Sequence, residues 1–232
     1  MNSIKIMGVN VYPFKTMEDV VQKVDQKVPL FSVNAEILLY ENPRFKKILN
    51  QGIGYPDGVG AVMALRKKGV KDAIKIPGCE LWLKIVEKYY KTGTSFYLIG
   101  CTDKVINQTV TKLKQDFSGI NICGFRNGFI SSDAEKEKLK EEIKAKNPDI
   151  VFIAMGLPRQ EFLTEELYKC HKATYMPLGG SFDVYTGNVK RAPKWWIDHK
   201  LEFAYRLIKQ PSRFKRQIPL LKFLLKVKMG RI

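Results

Sequence analysis

Short, almost wholly apolar runs alternate with longer helical stretches along the sequence, a rhythm that few folds can accommodate. Residues 149–155 (DIVFIAM) are its clearest beat. A strand with so little polar surface needs cover on both faces, the condition of a parallel sheet sandwiched between helices. A densely charged helix is predicted before it at 133–146, opening at Ser132 or Asp133. After it, Gly156-Leu157-Pro158 turns the chain into a helix reaching about Lys169. The beat repeats at 95–99 (SFYLI, ending at Gly100), at 120–125 (INICGF) and at 173–178. Between the first two, a helix is expected from Asp103, as its cap, to about Phe117. Upstream, 29–33 (PLFSV) reads as a strand entering a helix at Asn34-Ala35-Glu36 that runs toward Tyr40. Helices are predicted at 43–50, with Pro43 in the first turn, and at 59–68 and 79–91, with a glycine-rich stretch from Gly52 to Gly60. Strands separated by such helices form βαβ units, so the fold class is α/β: a doubly wound, mostly parallel sheet.

From Ala192 onward the pattern turns helical, Pro211 interrupts it, and an amphipathic stretch follows. The organisation expected is an α/β domain over 1–187 and a basic helical appendage over 188–232. Charge supports that division. The chain carries a formal +17, and residues 187–232 hold thirteen Lys and Arg against two acids, Asp198 and Glu202. A segment of this kind expects a polyanionic partner: phospholipid, nucleic acid or a diphosphate substrate. Trp195, Trp196, Phe203, Phe214, Ile218, Leu220, Leu221, Phe223, Leu224 and Leu225 interleave with its cations, the composition of a helix lying in a membrane interface. Each basic residue reaching an anionic surface contributes about 1 kcal/mol. The competing reading is a core-packing helix with a solvated basic face.

No apolar run approaches the roughly 20 residues that span a bilayer, and the N-terminus lacks the pattern of a secretory signal. The expected location is the cytoplasmic side. Cys79, Cys101, Cys123 and Cys170 form no CxxC pair, and His171 and His199 complete no zinc spacing. Reduced, mostly buried thiols and no metal site are expected.

In a doubly wound sheet, ligands bind beyond the carboxyl ends of the strands. Four unusual clusters fall at such strand-to-helix turns: Ser32-Val33-Asn34-Ala35-Glu36, Tyr55-Pro56-Asp57-Gly58-Val59-Gly60, Gly156-Leu157-Pro158-Arg159-Gln160-Glu161 and Gly179-Gly180-Ser181-Phe182-Asp183. Exposed backbone N–H groups and a positive helix end suit a diphosphate there.

These clusters, with Pro77-Gly78-x-x-Leu81-Trp82, the run from Gly179 to Pro193 and Arg206-Leu207-x-x-x-Pro211-x-Arg213-x-x-Arg216, resemble the WecG/TagA/CpsF glycosyltransferases. The six motifs occur in the family's order from about Gly8 to Arg216, and the Pro-Gly-Cys-Glu-Leu-Trp and Gln210–Gln217 segments look closest to the WecG branch. The resemblance implies a Rossmann-like fold of the GT-E type and an inverting transferase of surface polysaccharide biosynthesis. Its UDP donor would carry N-acetylmannosaminuronic acid or a related N-acetylmannosamine sugar. Its acceptor would be polyprenyl-diphosphate-linked N-acetylglucosamine, at the inner face of the cell membrane. No cofactor is implied. UDP-glucose or another hexose donor is the alternative.

By the same resemblance Asp57 is the catalytic base. An ordinary carboxylate is a weak base for an alcohol, so this needs late proton transfer or a site that raises its proton affinity. Read alone, Asp57-Gly58 is also a standard turn pair. Asn34 and Gln160 are implied as donor-sugar and nucleotide contacts, although Asn34 alone reads as a helix cap. Ser32 would supply a hydroxyl nearby, and Gly179-Gly180 would let backbone approach the ligand. Pro177-Leu178, and Arg159 where Lys is common, depart from the usual pattern and bear on donor preference. The chain has no Asp-x-Asp motif of the metal-dependent kind. Arg206, Arg213 and Arg216 would therefore bind the diphosphate and stabilise the leaving group, unless they serve lipid headgroups alone.

Two readings from other classes are weaker. A dinucleotide-dependent oxidoreductase lacks its G-x-G-x-x-G after a strand. A nucleic-acid-binding module fits the charge but shows no recognised motif, and its cations alternate with long aliphatics.

Overall fold

The computed structural model describes residues 2–190, 192–193, 195–196, 205 and 222–230. The chain opens with a hairpin, β1 (Ile4–Ile6) and β2 (Val9–Val11). Its turn residues Met7 and Gly8 both take positive φ, 47° and 87°, as a two-residue hairpin turn demands. Helix α1 (Met17–Val21) starts at a capping box in which Thr16 and Asp19 satisfy each other's backbone N–H. A short 3-10 turn, Gln22–Gln26, leads into β3 (Leu30–Val33), α2 (Ala35–Leu38), α3 (Pro43–Leu49) and β4 (Ile53–Pro56). Then come α4 (Val59–Lys67), α5 (Gly78–Tyr89), β5 (Ser95–Gly100), α6 (Asp103–Asp116) and β6 (Asn121–Arg126). The series ends with α7 (Asp133–Lys146), β7 (Ile150–Ala154), α8 (Arg159–Cys170), β8 (Thr174–Pro177) and α9 (Ser181–Tyr185).

The α/β, Rossmann-like expectation holds, with one refinement: the parallel layer is split. Strands β6-β5-β7-β8 form one parallel sheet, and β3-β4 form a second. Strand β3 runs beside β8, but among the described residues no ladder joins them. The two sheets still share a core. Leu30, Ile53 and Tyr55 of the small sheet belong to the same apolar cluster as Phe96, Leu98, Phe152 and Met176 of the large one. Strand β5 shows why its sequence is apolar throughout. Phe96 and Leu98 pack toward α5 and α6, while Tyr97 and Ile99 pack with Leu139 and Ile143 of α7 and Leu163 and Leu167 of α8.

Three expectations change. Residues 53–56, inside the predicted glycine-rich stretch, form the fully buried strand β4. Helix α6 is capped by Thr102, whose hydroxyl accepts from Val105 N–H at 3.3 Å, and Asp103 is its first residue. The four cysteines are free but half-buried rather than buried. No helix among the described residues is long and apolar enough to cross a membrane.

Candidate functional site

Strands β3 and β4 pair in register, Ser32 with Tyr55 and Val33 with Pro56, and Asp57 N–H extends the ladder to Val33 O at 2.9 Å. Asn34 and Asp57 therefore leave the sheet side by side at its carboxyl edge. Asn34 is extended (φ −132°) and caps α2, its Oδ1 accepting from Ile37 N–H at 3.1 Å. Its Nδ2 makes no hydrogen bond among the described residues.

Asp57 is half-buried. The Gly78 N–H donates to its Oδ2 at 3.3 Å, which places the carboxylate against the amino end of the twelve-residue helix α5, a setting that suits a negative charge. Position 78 has no room for a side chain. A Cβ there would lie 2.9 Å from the Tyr55 hydroxyl and 3.2 Å from Asp57 Oδ2. The Pro77-Gly78 motif thus keeps the Asp57 carboxylate where it is, a role that its spacing alone does not announce.

Tyr55 lies fully buried beneath this carboxylate, and its hydroxyl has no hydrogen-bond partner. Burial, reinforced by the Asp57 charge, holds that hydroxyl protonated far above the ordinary tyrosine range. Ser32, its register partner, sits close enough to ease the shift without reaching hydrogen-bonding geometry.

The neighbouring edge, beyond β7 and β8, is built from glycines. Gly156 and Gly179 have φ of +77° and +59°, and among the described residues nothing lies within 4 Å of a Cβ built on Gly156, Gly179 or Gly180. Gln160 lies under these loops rather than in the open space. It is 4% exposed, and its Oε1 accepts from both Gly156 N–H (3.1 Å) and Gly179 N–H (2.9 Å). By contrast, the crevice between β5 and β7, where the strand order reverses, is crowded by the loop after β6. A Cβ on Gly128 would fall 3.1 Å from both Gly100 Cα and Met155 Cγ. Cys101 stands at the same place, its Sγ donating to Asp183 Oδ2 at 3.4 Å, and burial pushes that thiol up to about 12, so it stays protonated.

Glu161 is a functional candidate that the motif contained but whose chemistry only burial reveals. At 1% exposure its carboxyl is pushed up to about 7 by desolvation, against the Gln160 hydrogen bond, with a small further push from Glu36. A raised acid binds a proton in the folded state that the unfolded state has lost. Its stabilising share is thus complete below the ordinary glutamate range and falls away as pH rises through about 7. Glu161→Gln removes this dependence. The variant gains on the parent between pH 5 and pH 8, by up to about 3 kcal/mol in denaturant unfolding. A stability difference that stays constant over that range contradicts the burial argument.

Arg206, Arg213 and Arg216 lie outside the described residues. Of the same segment, Trp195 is exposed and its ring meets that of Trp196 at 5.6 Å. Residues 222–228 are helical and dock on the body. Phe223 and Val227 are buried with α2, α3 and α4, so Phe223 faces inward, against the expectation that it joins the membrane-facing set. Its ring lies 3.1 Å from a Cβ built on Gly60, which would also meet Ala35. It therefore rests on the first turns of the two helices that begin at Asn34 and Gly58. Leu225 and Met229 remain exposed beside Lys222 and Lys228.

Among the described residues, no group of three or more His, Cys, Asp or Glu side chains is arranged to hold a metal. The arrangement offers a fixed carboxylate, an amide beside it and glycine-lined loops across the seam, the parts needed to deprotonate a hydroxyl next to a bound polar ligand. The family model described as glycosyl transferase WecG/TagA/CpsF family matches residues 4–231.

Proposed function

Because the chain belongs to the WecG/TagA/CpsF family of glycosyltransferases, we propose that it transfers N-acetylmannosaminuronic acid, or a related N-acetylmannosamine sugar, from a UDP donor to polyprenyl-diphosphate-linked N-acetylglucosamine. The family makes it a hexosyltransferase of surface polysaccharide biosynthesis; the particular sugars, lipid and membrane face are our reading. The observation that carries the mechanism is the Asp57 carboxylate, held by Gly78 N–H beside Asn34 at the carboxyl edge of β3 and β4.

In this mechanism Asp57 accepts the proton of the acceptor hydroxyl as that oxygen bonds to the anomeric carbon. The bond from that carbon to the UDP oxygen breaks, UDP leaves with the electron pair, and direct displacement inverts the anomeric configuration. Asn34 and Ser32 face the donor sugar, and Gly179-Gly180 admits the nucleotide. Gln160, occupied by its protein partners, serves by shaping these loops. Arg206, Arg213 and Arg216 neutralise the departing diphosphate, a role supported by the missing Asp-x-Asp motif. The basic segment, with Leu225 exposed on the helix at 222–228 and Met229 just after it, brings the site to an anionic membrane surface.

A donor screen tests this. UDP-N-acetylmannosaminuronate, UDP-N-acetylmannosamine and UDP-glucose are offered to a soluble N-acetylglucosamine diphosphate-lipid, with and without EDTA. We expect EDTA-insensitive transfer from one of the first two, with inverted product. Transfer from UDP-glucose alone would replace the donor assignment, and retention of configuration would remove Asp57 as the base.

A further inference from the structure

Position 161 holds a carboxylic acid where an apolar core side chain would pack without penalty. Glu161 is 1% exposed, and its Oε2 has no hydrogen-bond partner. A buried oxygen left unsatisfied is destabilising, so its presence asks for a reason. The other oxygen supplies one. Oε1 accepts from Gln160 Nε2 at 2.8 Å. The far end of that same amide, Gln160 Oε1, accepts from Gly156 N–H and Gly179 N–H. A primary amide has a donor end and an acceptor end of nearly the same shape. Two N–H donors on one side require oxygen there, and an acceptor on the other side keeps it there. At 4% exposure Gln160 has little access to solvent for a substitute partner.

We infer that Glu161 is a positioning residue: its carboxyl fixes the orientation of the Gln160 amide, which ties the loop after β7 to the loop after β8. The functional consequence rests on reading this edge as the sugar-nucleotide site. Among the described residues Gly156 and Gly179 border open space, so the tie sets the width of the space that admits the donor. Asp57 follows β4, at the end of the separate sheet β3-β4. Loosening the tie therefore weakens donor binding and raises KM, while kcat at saturating donor changes little. A merely structural defect at 161 would not split the two constants in this way.

The test uses the full chain, with Glu161→Leu and Glu161→Gln. It reads amide hydrogen exchange at Gly156 and Gly179 by NMR, UDP affinity by calorimetry, and donor kinetics. In the leucine variant both glycine amides exchange faster and UDP binds more weakly, each by roughly tenfold, the effect of losing about one buried hydrogen bond. In the glutamine variant, whose side-chain carbonyl can still accept from Gln160, both quantities stay within about twofold of the parent. Parent-like exchange and UDP affinity in Glu161→Leu would overturn the inference. So would unprotected Gly156 and Gly179 amides in the parent itself, a reading that does not depend on any variant folding. If the parent fails to bind UDP while Glu161→Leu still frees the two amides, the tie stands and the sugar-nucleotide reading falls.

Discussion

Asp57→Asn lowers kcat by about 10²- to 10⁴-fold, the range for removal of a general base, and leaves UDP affinity within about twofold. Asparagine has the same shape, and its Oδ1 can still accept from Gly78 N–H, so the contact seen at 3.3 Å survives. What it cannot do is take a proton from the acceptor hydroxyl. Unchanged turnover would remove the base assignment while leaving the family membership in place. Gly78→Ala is the steric counterpart. Its Cβ would press on Asp57 Oδ2 and the Tyr55 hydroxyl together, and the buried tyrosine has less freedom to yield than the half-buried aspartate. A fall in kcat at least tenfold is expected there too.

Trp82→Ala destabilises the fold by about 4 kcal/mol, measured by denaturant unfolding. Trp82 is fully buried and packs edge-on against Phe152 (5.6 Å), Phe182 (5.5 Å) and Tyr185 (5.2 Å). Its indole nitrogen has no hydrogen-bond partner, so the loss is one of packing. The contact joins two of the quoted motifs, Pro77–Trp82 and Gly179–Asp183, through the core beneath the loops they form. A loss below about 1 kcal/mol would mean that the cluster collapses around the gap more readily than such cores do.

That contact shows what the motifs concealed. Order and spacing mark residues as required without separating chemistry from support. Asp57 and Asn34 stand at the sheet edge, at strand-to-helix turns where the sequence pattern put them. Trp82 is core, Gly78 is clearance for a carboxylate, and Gln160 spends its amide on two backbone N–H groups. Burial and partners, neither written in a motif, make these distinctions.

The fold was legible where both faces of a strand are covered, as at β5 and β7, because an unbroken apolar run has few other uses. Strand β4 was not legible, because Gly52, Gly54 and Pro56 disguise it. Glycine is needed at 54 because a Cβ there would fall 2.4 Å from Asn10 O, on the strand that packs alongside. The hairpin β1-β2 was missed because three residues per strand give too little alternation to read. Phe223 exposes another limit. Apolar residues at helical spacing look the same whether they face lipid or another helix, and here the partners are α2 and α4.

The most direct measurement is hydrogen–deuterium exchange across the chain with and without UDP. We expect slowed exchange at 32–35, 56–58 and 178–181, the loops at the carboxyl ends of β3, β4 and β8. Slowing confined to 100–103 and 127–129, or none at all in the three loops, would contradict a sugar-nucleotide site on this edge.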